Sequence, residues 1–179
     1  MMRRMAVSTR VDDAINYDER RDALAQDWTL FLGSLGVLPV LVPNRVSNPR
    51  VYLEQFMLDG LILTGGNTVG LRDETPPSGV KLDRDYTECK LIESAIEKSI
   101  PILGVCRGMQ MLNRYFGGNI TRNLTEVTEL LDSHVSSVHD IRIVSDSWKA
   151  ISGRDSVRVN SYHDEGILKW DLATIRWNM

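Results

Sequence analysis

Metal-ligating and redox-active residues are scarce in this chain, with two cysteines and three histidines among 179 residues. No paired Cys/His spacing occurs, so no metal site is expected, and two cysteines in unlike surroundings do not make a disulfide framework. A reducing cytoplasm is the expected compartment. Cationic excess is missing as well. Twenty-one Lys and Arg against 24 Asp and Glu leave a net charge of −3, and Arg3-Arg4 is the one basic cluster. Neither nucleic acid nor a membrane surface is therefore an expected partner. No apolar run approaches the roughly 18 residues that span a bilayer, and no signal-peptide core follows Met1. Gly-x-Gly-x-x-Gly and P-loop patterns are absent after every strand, which weighs against a nucleotide binder with Gly65-Gly66 as its phosphate turn. No cofactor is expected.

What remains is a soluble globular composition, 42% hydrophobic and 25% charged, enough for one domain over residues 1–179. Strands and helices alternate along it. Met5–Ser8 reads as a first strand, followed by a polar loop through Asn16. From Asp18 to Leu35 the positions Leu24, Trp28, Phe31, Leu32 and Leu35 recur at helical spacing. Leu38–Val42 is a second strand, Asn48–Leu58 a short helix and Gly60–Leu63 a third strand. Asp83–Lys98 reads as a helix with Leu91, Ile92, Ala95 and Ile96 inward and Asp85, Glu88, Glu93, Glu97 and Lys98 outward. Beyond Gly118 the pattern loosens, with strands expected at His139–Val144, Val157–Asn160 and Thr174–Trp177. Thr75–Gly79 reads as an exposed loop. Alternation with near-continuous apolar strands predicts an α/β protein with a mostly parallel sheet.

The most informative stretch is Pro101-Ile102-Leu103-Gly104-Val105-Cys106-Arg107-Gly108-Met109-Gln110. A short buried strand ends at Cys106 and a helical pattern follows at once. A thiol at that junction sits beside unpaired helix N–H groups, which favour the thiolate. Gly104 and Gly108 remove bulk that so tight a turn cannot hold. These features point to a covalent nucleophile. A cysteine after an apolar strand is more often a small buried hydrophobe, and Cys89, inside a helix, fits that plainer role.

Reactive groups of such a sheet gather at the carboxyl ends of its strands. Thr64-Gly65-Gly66-Asn67 ends one strand, and its backbone N–H groups suit an oxyanion hole, although a Gly-Gly pair is often only a turn. The Arg107 N–H supplies a second donor. Asn160-Ser161-Tyr162-His163-Asp164-Glu165 carries one of the three histidines, and His163 with Glu165 forms a candidate Cys-His-Glu triad with Cys106. His134 and His139 read as surface or strand-edge residues.

Leu61–Asn67, Arg84-Asp85 with Glu88, Pro101–Gln110 and Asn160–His163 together resemble the class I glutamine amidotransferase-like γ-glutamyl hydrolases, which include γ-glutamyl-γ-aminobutyrate hydrolases. The resemblance runs from about Met5 to Trp177. Tyr17–Leu24 with Trp28 is similar to the branch containing γ-glutamyl-CDP-amidate hydrolase. The resemblance implies a three-layer, flavodoxin-like sandwich. It also implies that Cys106 attacks a γ-glutamyl carbonyl and forms a thioester, and that an amine or ammonia leaves. Gly65, Gly66 and Arg107 would hold the oxyanion, Gln110 would lie by the glutamyl group, and Ser161-Tyr162-His163 would form a substrate-side loop. One departure stands out. The family's His-Pro-Glu element is absent, so the chain is expected to be shortened, or to use His163 and Glu165 instead, or to bind a glutamyl ligand or partner protein without catalysis. Acting as a glutaminase subunit beside a synthase, or as a homodimer, is also compatible with the resemblance.

Overall fold

The computed structural model describes residues 2–70, 82–127 and 135–174. They fall into two compact units, Met1–Gly117 with 174–179, and Gly118–Ala173. In the first, β1 (Arg3–Ser8), β2 (Arg10–Asp13) and β3 (Arg20–Ala23) lead into α1 (Gln26–Ser34). Then come β4 (Val37–Val42), α2 (Arg50–Gln55), β5 (Gly60–Leu63), α3 (Leu82–Glu97), β6 (Ile102–Gly104) and α4 (Arg107–Tyr115).

Four strands pair in the order β4-β1-β5-β6, all parallel. Parallel neighbours need crossover helices, so both faces are covered and the inner strands can be apolar throughout. β5 is buried at every residue. Its Ile62 packs with Val7 and Leu32, with Trp28 and Leu24 at the margin, on the α1 face. Leu61 and Leu63 point the other way by strand alternation, toward the face where α3 and α4 meet β5. The mostly parallel α/β sheet expected from the apolar strands is what forms. Its order reverses between β1 and β5, and in open parallel sheets the crevice at such a reversal receives ligands.

Two expectations for this unit need correction. The polar loop before Asn16 and the helix from Asp18 are instead the antiparallel pair β2–β3, with Arg10 opposite Ala23 and Asp13 opposite Arg20. Only Gln26–Ser34 is helical. Charges filling both strands hide the alternation by which strands are recognised. The second correction concerns α3. Glu88, expected outward, is 0% exposed, whereas Ile96 is 45% exposed. Arg84, Glu88, Leu91 and Ala95 form one buried stripe at helical spacing, and burial followed position rather than polarity.

The second unit opens with α5 (Leu124–Val127) and pairs β7 (Val135–Arg142) antiparallel with β8 (Ser156–Tyr162), with α6 (Asp146–Ser152) between them. α6 is capped by Ser145, whose Oγ accepts from the Trp148 N–H, and ended by left-handed Gly153. The strands expected at His139–Val144 and Val157–Asn160 are thus the two partners of one hairpin. Residues 175–177 of the expected last strand, the Thr75–Gly79 loop and His134 lie outside the described residues. Among the described residues no helix is long and apolar enough to cross a membrane.

Candidate functional site

Three carboxyl-end segments of the parallel sheet lie together in the first unit: Ser8-Thr9-Arg10 after β1, Thr64–Asn67 after β5, and Val105-Cys106 after β6. Buried side-chain bonds lock them. Thr64 donates its N–H to Ser8 Oγ at 3.0 Å and its hydroxyl to the Ser8 carbonyl at 2.8 Å. Thr9 Oγ1 donates to the Val42 carbonyl at 3.0 Å, tying in β4. The strand ends are therefore cross-braced by groups that satisfy one another away from water.

Cys106 occupies the corner between β6 and α4, with φ 54° and ψ −113°. A non-glycine residue there is strained by of order 1–3 kcal/mol and persists because its surroundings leave no other path. Those surroundings are backbone packed on backbone. A Cβ on Gly104 would come 2.6 Å from the Gly108 carbonyl oxygen, and one on Gly108 would overlap the Leu63 carbonyl. The helix start is pressed directly onto β5 and β6, as the flanking glycines suggested. The thiol itself is exposed and unpaired. A Cβ on Gly65 would sit 3.7 Å from Cys106 Sγ, so the glycine turn runs alongside the sulfur. Gly108 N–H bonds to the Val105 carbonyl and Met109 and Gln110 N–H to that of Cys106, whereas the Arg107 N–H has no acceptor among the described residues.

The glycine turn is held by a residue that periodicity alone placed nowhere near it. Arg84 on α3, fully buried, donates to the carbonyls of Thr64 at 2.7 Å, Gly65 at 3.1 Å and Gly66 at 2.6 Å. Trans peptides set N–H opposite C=O, so the N–H groups of Gly65, Gly66 and Asn67 are turned away from the guanidinium. Glu88 balances that charge, accepting from Arg84 Nε at 2.9 Å and also from the buried Arg107 side chain. Arg107 further pairs with Asp85, whose other oxygen takes the Gly70 N–H at 2.9 Å. Burial depresses the Arg84 pKa with Glu88 pulling against it, and burial raises that of Asp85 with Arg107 opposing. The helical stripe through Arg84, Glu88, Leu91 and Ala95 was the available signal for this network. The habit of reading charge as outward concealed it.

Asn67 spends its amide on the protein. Its Oδ1 accepts from the Val11 N–H at 2.8 Å and from Arg84, and its Nδ2 donates to the Val11 carbonyl at 2.9 Å. It thereby fastens β2 beside the glycine turn. Gln110 is buried on α4. Cys89 is partly buried and its thiol pKa is raised, first by burial and then by Asp85 and Glu93, so near neutral pH it is a protonated thiol.

Ser161, Tyr162, His163 and Glu165 belong to the second unit, at the end of β8 and just after it. His163 Nδ1 lies 3.1 Å from the Glu165 backbone carbonyl, which can only accept, so Nδ1 is the donor of that bond. The Glu165 carboxylate is paired with Arg122. Ser161 is buried, 3.4 Å from His139 Nδ1, while Tyr162 is exposed. No group of three metal-ligating side chains occurs among the described residues.

The likeness to known proteins agrees with this architecture. The family model described as Peptidase C26 matches residues 5–174. Protein NtpR of Enterococcus hirae is 32% identical over 145 residues, 73% of this chain and 59% of that protein. The γ-glutamyl-CDP-amidate hydrolase of Campylobacter jejuni is 32% identical over 111 residues, 59% of this chain and 52% of its own. The γ-glutamyl-γ-aminobutyrate hydrolase of Escherichia coli K12 is 34% identical over 105 residues, 54% of this chain and 40% of its own. The chain thus spans between 40% and 59% of the length of these three relatives. A solved glutamine amidotransferase of Thermotoga maritima superposes with a TM-score of 0.62 at 20% identity, covering 97% of this chain and 64% of that one, which bears on the fold alone. Since a single family model covers both the glycine turn and the cysteine corner, and most of the chain besides, this protein belongs to the Peptidase C26 family of class I glutamine amidotransferase-like proteins.

Proposed function

We propose that the chain carries the nucleophile of a γ-glutamyl amide hydrolase. The observation behind this reading is an exposed, backbone-strained Cys106 alongside a glycine turn whose N–H groups are turned away from a buried guanidinium. In the proposed reaction the Cys106 thiolate adds to the γ-carbonyl carbon, and the Gly65, Gly66 and Arg107 N–H groups take up the oxyanion charge. The C–N bond then breaks, the amine leaves with a proton, and water hydrolyses the thioester to free glutamate and regenerate the thiol. Gln110 contacts the glutamyl side, and Ser161-Tyr162-His163 contribute a substrate-side loop. His163 is the candidate base, with its Nδ1 bonded to the Glu165 backbone carbonyl. Two relatives named for γ-glutamyl hydrolysis support the bond type. Free thiols suit a reducing cytoplasm.

The test is glutamate release by the purified chain from γ-glutamyl amines and from glutamine. Release from γ-glutamyl amines, lost about a thousandfold or more in Cys106→Ser, is the expected result. Release from glutamine alone, and only with a synthase added, would instead make the chain a glutaminase subunit. Ligand binding without any acyl-enzyme detectable by mass spectrometry would mark a non-catalytic relative.

A further inference from the structure

Three successive carbonyls after β5 all accept from one side chain. Arg84 Nη2 donates to that of Thr64, and Nη1 to those of Gly65 and Gly66. Nη1 also reaches Asn67 Oδ1 at 3.1 Å, and Nη2 reaches Thr64 Oγ1 at 3.2 Å. Arg84 is fully buried, so bulk water does not compete for these bonds. The N–H groups of Gly65, Gly66 and Asn67 lie on the other side of the same peptide planes and have no acceptor among the described residues.

Left to itself this turn would hold its shape poorly. Gly66 sits at φ 81°, and two adjacent glycines leave the peptide planes beside them free to rotate. A rotated plane would point an N–H at the guanidinium and forfeit a charge-assisted bond in a buried place. The cation therefore keeps all three planes in one sense. Arg84 is itself anchored one turn along α3, where Glu88 Oε1 accepts from its Nε. The other oxygen of Glu88, Oε2, accepts from the Arg107 side chain. The Arg107 N–H is the second oxyanion donor in the reading above. The glycine turn and the start of α4 thus both hang from the two oxygens of a single buried carboxylate.

We infer that Arg84 is a positioning residue for the Cys106 reaction: it draws three carbonyls onto one buried cation and so keeps the N–H groups of the glycine turn presented to the oxyanion, while Glu88, shared with Arg107, registers that turn against the start of α4. Arg84 touches no substrate and acts through the main chain. The inference rests on Cys106 being the nucleophile of the proposed hydrolysis. It also explains why the position needs arginine, since a lysine has the charge but not the planar fork that reaches several acceptors at once.

Hydrolysis of γ-glutamyl-p-nitroanilide and alkylation of Cys106 by iodoacetamide, measured on the same preparations, test this. Both need the thiolate, but alkylation is a displacement at a carbon that develops no oxyanion, so it does not read the turn. Arg84→Lys is expected to lower kcat about a hundredfold, with KM and the alkylation rate each within about threefold of the parent protein. Arg84→Met combined with Glu88→Leu is expected to do the same. A buried ion pair can be exchanged for apolar side chains with little loss of stability, and Arg107 retains Asp85. Ile92→Val, a buried truncation on the same helix, lowers the urea midpoint and leaves kcat unchanged. Either Arg84 variant folding and keeping kcat within about threefold of the parent overturns the inference. So does a parallel loss of kcat and alkylation, because Arg84 would then support the Cys106 corner instead of the turn. Failure of both Arg84 variants to fold overturns it in favour of a purely structural role. A parent protein whose Cys106 is alkylated but which cleaves no γ-glutamyl amide overturns the γ-glutamyl reading itself, and this inference with it.

Discussion

Cys106 combines exposure with a backbone conformation that side chains avoid, and the two properties make separable predictions. Cys106→Gly relieves the strain at φ 54° and is expected to raise stability by about 1 kcal/mol in urea unfolding while eliminating thiol chemistry. A site whose reactivity and stability move in opposite directions on one substitution is serving chemistry rather than packing. Iodoacetamide near neutral pH should modify Cys106 at least about tenfold faster than Cys89, read by peptide mass spectrometry. The sign follows from burial. Cys89 has its pKa raised, so the reactive thiolate is the rarer form there as long as the pH stays below that raised value. Glu88 belongs to the same scale. It offsets two buried guanidinium groups, so Glu88→Gln should cost about 3 kcal/mol or more, because the charges it leaves behind remain out of water.

At the scale of elements, the seam between α4 and the sheet has no spare room. Gly108→Ala is expected to unfold the protein or displace α4, since the added carbon overlaps the Leu63 carbonyl. Gly33 in α1 is the control. A Cβ there meets nothing within 4 Å, so Gly33→Ala should gain about 0.5–1 kcal/mol from helix propensity. Thermal or urea denaturation of the pair distinguishes a glycine required by packing from one that is merely tolerated. The Cys106 corner was legible in the sequence because strand, glycines and helix follow one another in a few residues. β2–β3 was not, because Arg10–Asp13 and Arg20–Ala23 have few apolar residues to alternate, and their pairing depends on a hairpin fixed from outside by Asn67. The Arg84–Glu88–Arg107 network was hidden for a related reason. Burial of a charge is decided by partners distant in sequence, and Arg107 lies 19 residues from Glu88.

For the whole molecule, the parallel order β4-β1-β5-β6 predicts where the structure opens last. Amides of the inner strands, Ala6-Val7 and Leu61–Leu63, should show the slowest hydrogen exchange, and those of the outer strands β4 and β6 faster exchange. Equal protection across all four strands would contradict that ordering. The architecture also divides labour between parts of different kinds. The corner bearing the sulfur is set by main chain lying against main chain at Gly104 and Gly108, which leaves no freedom for variation. Arg10 stands on a hairpin outside the main sheet, attached through Asn67 and joined by the stretch 14–19 between its strands. That hairpin is a natural graft point. Exchanging residues 10–23 between relatives would change the side chains that lie against Gly66 while the main-chain seam at Gly104 and Gly108 stays as it is.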